Sequence, residues 1–542
     1  MTTELLGCQA LLNCLIREVS GPEEQVLAAE PGYVAIRLPR SAVLLRARTG
    51  RASGGIGPRL DGWCEVLDGG SWRRVLSTEL AGLIAGELTL ASGTGNDEFV
   101  AQVEDSQAAL SAIVSARSAP AAGGFIASEQ SLVAGHRFHP APKARPGAPR
   151  DWLRYAPEAG ARFPLRFLGV RSDVLAEGGD SSALDRLGGP VAPSGFRLLP
   201  AHPWQLGLLS SAPWFVSASR TGLIIDLGAG TRDVVPTSSV RTVYDPVADV
   251  FCKFSLSVRL TNCVRKSAWY ELAGSVLLTG VLSPLFGAYP EAVLLAEPGY
   301  RTAALATRDG YEGLAVIVRS GFAGVLPPGV TPLLAASLTE PDSSLFDGRD
   351  EDWLAGWWQT YVRLVAAPVL GAYFEHGIVL EPHLQNVLAG VDVSGWPVRM
   401  IFRDLEGVKL VTDRHQALLA GLPPGIARGL GYDAGRGWER VAYCLFVNHL
   451  AEIAAAIADR GGAERLERAP GFERALGFER ALWRAARDEL TVIAKEHGWP
   501  PQLRALLAGV PLPAKANLRV RWARAADREA GYVAVPNPMR GL

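Results

Sequence analysis

A chain of 542 residues and 57.7 kDa, with 48% hydrophobic and 20% charged residues, has ample material for a buried core and is far from disordered. Its 54 Lys+Arg against 55 Asp+Glu leave a formal net charge of −1, so no whole-chain electrostatic footprint points to nucleic acid or an anionic membrane, and those partners are excluded first. Six cysteines (8, 14, 64, 252, 263, 444) without C-x-x-C spacing predict neither a disulfide framework nor a zinc site, and fit a reducing cytosol. Only six lysines (143, 253, 266, 409, 495, 515) stand against 48 arginines. In so Arg-biased a chain each Lys marks a place where a compact ammonium serves better than a planar fork.

In chain order, the first 130 residues read as mixed helix and strand. Helical periodicity runs through 5–19 and 77–90, an Ala-rich helix lies near 107–117, and a strand-like GYVAIRL occupies 32–38. The LLGC near the start has no basic or apolar leader before it and is read as part of an amphipathic first helix. Small and Pro/Gly-rich residues at 118–124 mark a boundary. From 131 to 340 short β-rich runs dominate: 196–200, 222–228, 242–244 and 251–261. The last alternates Lys253, Ser255, Ser257 and Arg259 with apolar residues, which predicts one half-buried strand with a polar face. The uncharged stretch 272–290 holds three glycines and Pro284 and is read as buried core. From 341 to 542 the chain is mainly helical (352–377, 438–460, and the tandem GFERAL at 471–482), interrupted by short strands bracketing polar turns at 377–390 and 398–411. The predicted class is α+β, with a mixed first part (1–130), an antiparallel-sheet part (131–340) and a mainly helical part (341–542).

Five polar clusters interrupt this pattern. GHRFHPAPKARPG (135–147) carries His136, His139, Lys143 and Arg145 on a proline-stiffened loop; such a loop suits an anion, and equally a solvated basic surface. AHPWQ (201–205) reads as a packing corner. PTSSVRTVYD (236–245) sets the hydroxyls of Ser239 and Thr242 around Arg241, a combination fit for phosphate or carboxylate oxygens and also for an ordinary turn. Lys253, Thr261 and Arg265 follow at spacings of eight and four. Finally Glu381, His383, Gln385 and Asn386 precede Asp404 by about twenty residues, the pattern by which phosphotransferases hold Mg²⁺ between nucleotide phosphates; a satisfied structural acid–His pair would look the same. No Walker A, G-x-G-x-x-G, zinc helix or G-x-S-x-G elbow is present. The set as a whole describes a nucleoside triphosphate site beside a carboxylate-rich ligand.

The order GHxxHPxxKxRxG, YAPE (155–158), HPWQ, SxRT, K-x(7)-T-x(3)-R, HxQN and RD resembles the NRPS-independent siderophore (NIS) synthetases, the aerobactin-synthetase-like family. LLNCLIRE near the start and KANLRVRW (515–522) extend the likeness over essentially the whole chain. The resemblance implies a hand-like fold of mixed thumb, antiparallel-sheet fingers and mainly helical palm. It also implies a cytoplasmic homodimer that activates citrate or a related polycarboxylate with Mg-ATP as an acyl-adenylate, then condenses it with an amine, hydroxylamine or alcohol. Carried over, His139, Lys143, Ser239, Arg241, Thr242, Lys253, Gln385, Asn386 and Asp404 would contact ATP. His136, Thr261, Arg265 and His383 would meet the carboxylate, with His383, Arg265 and Lys253 catalytic and His383 taking the amine proton. Glu381 and Asp404 would hold Mg²⁺. Arg137 stands where the family usually has Pro, and Pro382 where it usually has a small residue. The competing readings are an ATP-dependent phosphotransferase built on Asn386 and Asp404, and a nucleotide-binding protein without turnover.

Overall fold

Apolar and polar residues alternate through Tyr33–Arg37, Leu44–Arg51 and Arg59–Asp68. In the computed structural model, these runs form a five-stranded antiparallel meander with Val26–Ala28 and Ser71–Arg74. The structure describes residues 2–542 apart from 31, 52–54, 118–122, 261–262, 306, 462–470 and 526–530. The first helix, Thr3–Leu15, is capped by the Thr2 hydroxyl and runs on as a π-helical turn, Ile16–Ser20. Its apolar side (Leu11, Leu12, Leu15) packs on Ile36, Leu45 and Val66 of the meander. The helices Ser77–Ser92 and Glu98–Ala116 complete this first layer, the second beginning well before the predicted residue 107.

The middle of the chain builds an eight-stranded, wholly antiparallel sheet in the order Leu175–Gly179, Gly299–Ala303, Val316–Ser320, Val250–Phe254, Thr242–Asp245, Ile224–Pro236, Phe163–Arg171, Phe196–Ala201. The predicted strand over 251–261 is half right. It ends at Phe254, because Ser255 N–H turns to the Ala315 carbonyl and Leu256 N–H to the Arg265 carbonyl, and a tight turn follows at 256–258. Arg259–Leu260 then pairs with Cys263–Val264 as a separate short hairpin. The strand is also not half-buried as predicted: Val250–Phe254 lies inside the sheet and is buried on both sides, Lys253 being 1% exposed. Ser255 and Ser257 satisfy neighbours instead, the Ser255 hydroxyl accepting Ser267 N–H at 3.0 Å and Ser257 pairing with Gln205.

The last part is mainly helical, as expected. Glu351–Phe374, capped by Asp350, packs its Trp357, Trp358 and Tyr361 into a large core with the helical run Ala434–Gly461 and the helix Gly471–Glu496, which contains the GFERAL tandem. A smaller sheet, Ala292–Leu294, Pro397–Phe402, Val387–Val391 and Thr331–Leu334, carries the two polar turns toward the large sheet. Trp269–Phe286, predicted as core, sends Leu278, Leu282, Leu285 and Phe286 into the same interior. The boundary drawn near 118–124 falls largely on residues outside the described set.

The two ends of the chain meet. Buried Glu18 accepts the N–H groups of Leu518 and Arg519 at 2.9 Å, supplying acceptors at the N-terminus of Asn517–Trp522, and Arg519 returns a bond to the Glu18 carbonyl at 2.6 Å. Asn96 holds the other end of that helix through the carbonyls of Arg521 and Trp522, and Asn517 donates to the Phe138 carbonyl at 2.9 Å. Two buried backbone donors therefore depend on one carboxylate. Glu18→Ala is expected to lower stability by about 2–3 kcal/mol, read as an earlier urea midpoint, and Glu18→Gln, which keeps an acceptor oxygen, to lose less.

Candidate functional site

The site begins with strand register. Thr242 lies opposite Lys253, Lys253 opposite Ile317, and Phe251 opposite Arg319, so Lys253 and Arg319 leave one face of the sheet as diagonal neighbours. Arg241 enters from the hairpin turn just before Thr242. That turn is tight: Thr237 N–H and hydroxyl both bond the Thr242 carbonyl at 2.8 Å, Val240 N–H bonds the Thr237 carbonyl at 2.8 Å, and the Ser239 hydroxyl accepts Thr242 N–H at 3.3 Å. It forces the β-branched Val240 to φ +66°, a conformation that costs roughly 1–3 kcal/mol. The buried Val240 side chain and these bonds hold it there.

Opposite these cations stands the loop after Pro397–Phe402. Asp404, itself at φ +73°, places one carboxylate oxygen 2.6 Å from Lys253 Nζ and the other 3.7 Å from Arg319. Glu406 bridges Arg241 and Lys253, 3.1 Å from the latter, and buried Glu297 takes Arg319 at 2.7 Å. Three cations thus face three carboxylates. Burial alone would lower the Lys253 ammonium and the Arg241 and Arg319 guanidinia, but Asp404, Glu406 and Glu297 hold all three above their ordinary values. Burial would likewise raise Asp404, yet Lys253, Arg319 and Arg241 keep it well below the usual carboxylate range.

The loop 381–386 is closed at every carbonyl. The oxygens of Glu381, Pro382, His383, Leu384, Gln385 and Asn386 accept, respectively, from Asn386 Nδ2, His449 Nδ1, Asn386 N, Ala336 N, Arg403 and Arg403 N. Arg403 is fixed in turn by buried Glu129 at 2.5 Å, whose other oxygen accepts Ser238 N–H at 2.9 Å; Gln385 Nε2 reaches the Ser238 hydroxyl at 3.3 Å. His383 accepts Gln385 N–H at Nδ1 (3.3 Å), so its neutral ring carries the proton on Nε2, which has no hydrogen-bond partner among the described residues. Burial lowers the His383 pKa, with Glu381 and Asp404 opposing it.

The predicted site residues divide accordingly. Arg241, Lys253 and Asp404 come together, and Thr242 and Ser239 shape the turn beside them. The Arg265 carbonyl accepts from Arg241 at 3.4 Å, bringing that residue to the edge of the cluster. Gln385 and Asn386 hold the histidine loop, Asn386 turned back on it. Glu381 does not sit on Asp404: it pairs with Arg440 at 2.5 Å and lies over Gly407, where a Cβ would collide with its Oε2. Among the described residues no group of three or more His, Cys, Asp or Glu forms a metal cage. Lys143 and Arg145 both close on buried Glu158 of the YAPE segment, Arg145 at 2.7 Å. His139 accepts Ala141 N–H at Nδ1. His136 is used at both ring nitrogens, by Phe138 N–H (3.1 Å) and by the Asn448 carboxamide (3.1 Å). His136 and His383 are nonetheless within electrostatic range of each other and of Lys515. Thr261 lies outside the described residues.

Sequence reasoning missed Glu406, Arg319, Glu297, Glu129 and Arg440, and noted Arg403 only inside the RD motif, with no role. Arg319 carried a signal, one charge inside the apolar run VIVRS, and Glu406 followed Asp404 by two. The ion-pair partners of the rest lie more than fifteen positions away.

Residues 124–340 match the model described as the IucA / IucC family, and residues 355–467 that of the ferric iron reductase FhuF-like transporter. In the latter segment the one cysteine, Cys444, is buried and its thiol is pushed up by that burial. Among curated proteins, the rhizobactin siderophore biosynthesis protein RhbC of Rhizobium meliloti (strain 1021) is 29% identical over 504 residues, covering 84% of this chain and 83% of its own. The L-2,3-diaminopropanoate–citrate ligase of Staphylococcus aureus is 29% identical over 449 residues, covering 77% and 74%. Among solved structures, ATP-bound aerobactin synthetase IucA from a hypervirulent pathotype of Klebsiella pneumoniae superposes with a TM-score of 0.83 at 22% identity, covering 99% of this chain and 100% of that one. Petrobactin biosynthesis protein AsbB from Bacillus anthracis str. Sterne does so with a TM-score of 0.75 at 19% identity, covering 99% and 95%.

The charge cluster sets a pH dependence. Burial would raise Glu406, but Arg241 and Lys253 hold it at about 2, below an unfolded-state carboxylate near roughly 4.3. Its contribution to stability is therefore fully present above the unfolded value and lost as pH falls toward 2. Glu406→Gln should unfold at lower urea than the parent at pH 7, and the difference should shrink as the pH is taken from 5 to 2.

Proposed function

We propose, from the premise that this chain belongs to the IucA/IucC family, that it is an ATP-dependent ligase. It would activate citrate or a related polycarboxylate as an acyl-adenylate, release pyrophosphate, and condense the acyl group with an amine, hydroxylamine or alcohol to give a siderophore-type amide or ester and AMP. The observation that carries the reading is the buried cluster in which Arg241, Lys253 and Arg319 face Asp404 and Glu406. Relatives named for joining citrate to diaminopropanoate, to acetyl-hydroxylysine and to spermidine support a polyacid and an amine as the two substrates.

The chemistry follows from charge. A carboxylate oxygen must attack the α-phosphorus although both reactants are anionic, so cations held in place before the reaction are what the step needs. Arg241 and Lys253 are such cations: buried and fixed, they exchange carboxylate oxygens for phosphate oxygens with little reorganisation. That exchange leaves Asp404 and Glu406 facing phosphates, a repulsion that suits a hard divalent cation between them. One or two carboxylates plus phosphate oxygens are the usual ligands of Mg²⁺. These two residues fit that role, and Glu381, engaged with Arg440, does not. When bound, Mg²⁺ would supply neutralisation of the triphosphate.

On the acid side, Arg265 and Thr261 are kept as carboxylate contacts, His136, with both ring nitrogens engaged, would act by its position in the loop, and His383 offers its Nε2–H to a substrate oxygen. This donor would stabilise negative charge as the amine adds to the mixed anhydride. The proton-acceptor role first considered for His383 does not suit its tautomer. A phosphotransferase is the weaker reading, because the citrate-joining relatives are named as ligases and synthases; the Asn386 contacts use its Nδ2 and backbone N–H and leave Oδ1 as the atom a metal would take.

With citrate and ATP the protein should exchange labelled pyrophosphate into ATP in an acid-dependent way and form AMP; accumulation of ADP would replace the ligase by a kinase. Lys253→Met should lower hydroxamate formation in a hydroxylamine-trapping assay by about 100-fold or more.

A further inference from the structure

We propose that the π-helical turn Tyr443–Leu450 is the positioning element of the two histidine loops, His449 holding Pro382 beside His383 and Asn448 holding His136. The inference rests on the ligase reading for what the loops do, and on geometry alone for how they are held.

His449 is fully buried. A carbonyl oxygen can only accept, so the 2.7 Å contact between His449 Nδ1 and the Pro382 carbonyl fixes the proton on Nδ1. Nε2 is then the acceptor, and it takes the hydroxyl of buried Tyr361 at 2.6 Å. Both ring nitrogens are used, the tautomer is set from both sides, and burial holds the pKa down to about 4, with Pro382 opposing and His383 adding to the depression. A ring so held carries no proton to or from a substrate. What it does is occupy the one carbonyl in the loop 381–386 that neither backbone N–H groups, Arg403 nor the loop's own side chains reach. Pro382 has no N–H of its own, so that carbonyl is the residue's sole hydrogen-bonding group.

The preceding residue serves the other loop. Asn448 lies 3.1 Å from His136 Nε2 and 3.4 Å from the hydroxyl of Tyr443, five positions back, the spacing that a π turn stacks and an α turn does not. The Asn448 Nδ2 is placed facing Nε2 and the Tyr443 hydroxyl; because His136 Nδ1 already accepts Phe138 N–H and Nε2 therefore carries the proton, the bond is made with the carboxamide turned over, its oxygen accepting from Nε2–H and from the Tyr443 hydroxyl. Two successive residues of one turn thus reach two loops that are more than two hundred residues apart in the chain. The turn is buried along nearly its whole length, in the core of Tyr361, Leu445, Phe446 and Leu450, which makes it a rigid reference for both.

The test uses the full chain with His449→Leu and His449→Asn; the Asn amide can place a donor where Nδ1–H was. Two readouts are taken: deuterium uptake of peptides spanning 381–386, and the kinetic constants of acid-dependent pyrophosphate exchange. His449→Leu should speed loop exchange by about tenfold and lower kcat by about 30-fold, with KM for ATP within about twofold of the parent. His449→Asn should restore both to within about threefold. Asn448→Ala, the variant that decides if His449→Leu does not fold, should raise KM for the acid by about fivefold or more with KM for ATP unchanged. Parent-like loop exchange in folded His449→Leu overturns the proposal, as does failure of folded His449→Asn to restore, or an unchanged acid KM in Asn448→Ala. Absence of exchange activity in the parent with every acid would remove the ligase reading, and deuterium uptake would still decide how the loop is held.

Discussion

Everything at the site depends on one electrostatic constraint: charges removed from water by a buried sheet must be matched on the spot. Lys253 and Arg319 sit within the eight-stranded sheet, where an unpaired ammonium or guanidinium is prohibitively costly. Asp404, Glu406 and Glu297 match them, and the match draws the loop that leaves the smaller sheet after Phe402 onto the face of the larger one. The pairing is therefore architectural as well as chemical. A buried ion pair is weak evidence for stability; under the proposed function, the arrangement is a standing set of cations whose carboxylate partners exchange for phosphate.

Rigidity is the second half of the same design. The loop 381–386 has no regular secondary structure, yet each of its carbonyls has a donor, drawn from four separate parts of the chain. Such a loop loses little freedom when a substrate arrives, which is how a histidine donor can be aimed before the reaction begins. The same logic explains Gly407, whose lack of a side chain lets the Glu381 carboxylate lie over the backbone and reach Arg440.

How much of this was legible in the sequence depends on how local the cause was. The α+β class and the long helices follow from periodicity over ten or more residues, and the scarcity of lysine singled out Lys253. The strand through 251–261 was misjudged because its end is decided by Ala315, Arg265, Ser267 and Gln205, not by its own alternation. Lys143 was read as a phosphate ligand, and its immediate partner is Glu158, inside a segment noted only as a motif. Whether His383 gives or takes a proton rests on one backbone N–H two residues on, and no pattern of residue types carries that information.

The motifs at the two ends of the chain, 500 positions apart, belong to the same problem. LLNCLIRE contributes Glu18 to the helix of KANLRVRW, and the Asn517 that opens this helix bonds the Phe138 carbonyl inside the His136 loop. Lys515, two residues earlier in the same segment, comes within electrostatic range of His136 and His383. Arg17, next to Glu18, stacks on the Phe138 ring at 3.2 Å. The first helical segment and the last helix thus meet on one residue of the loop, Phe138, held by its ring from one side and by its carbonyl from the other, while Asn13 bonds the neighbouring Arg137 carbonyl. A residue carrying no chemistry of its own becomes the point where the ends of the chain determine the position of a histidine.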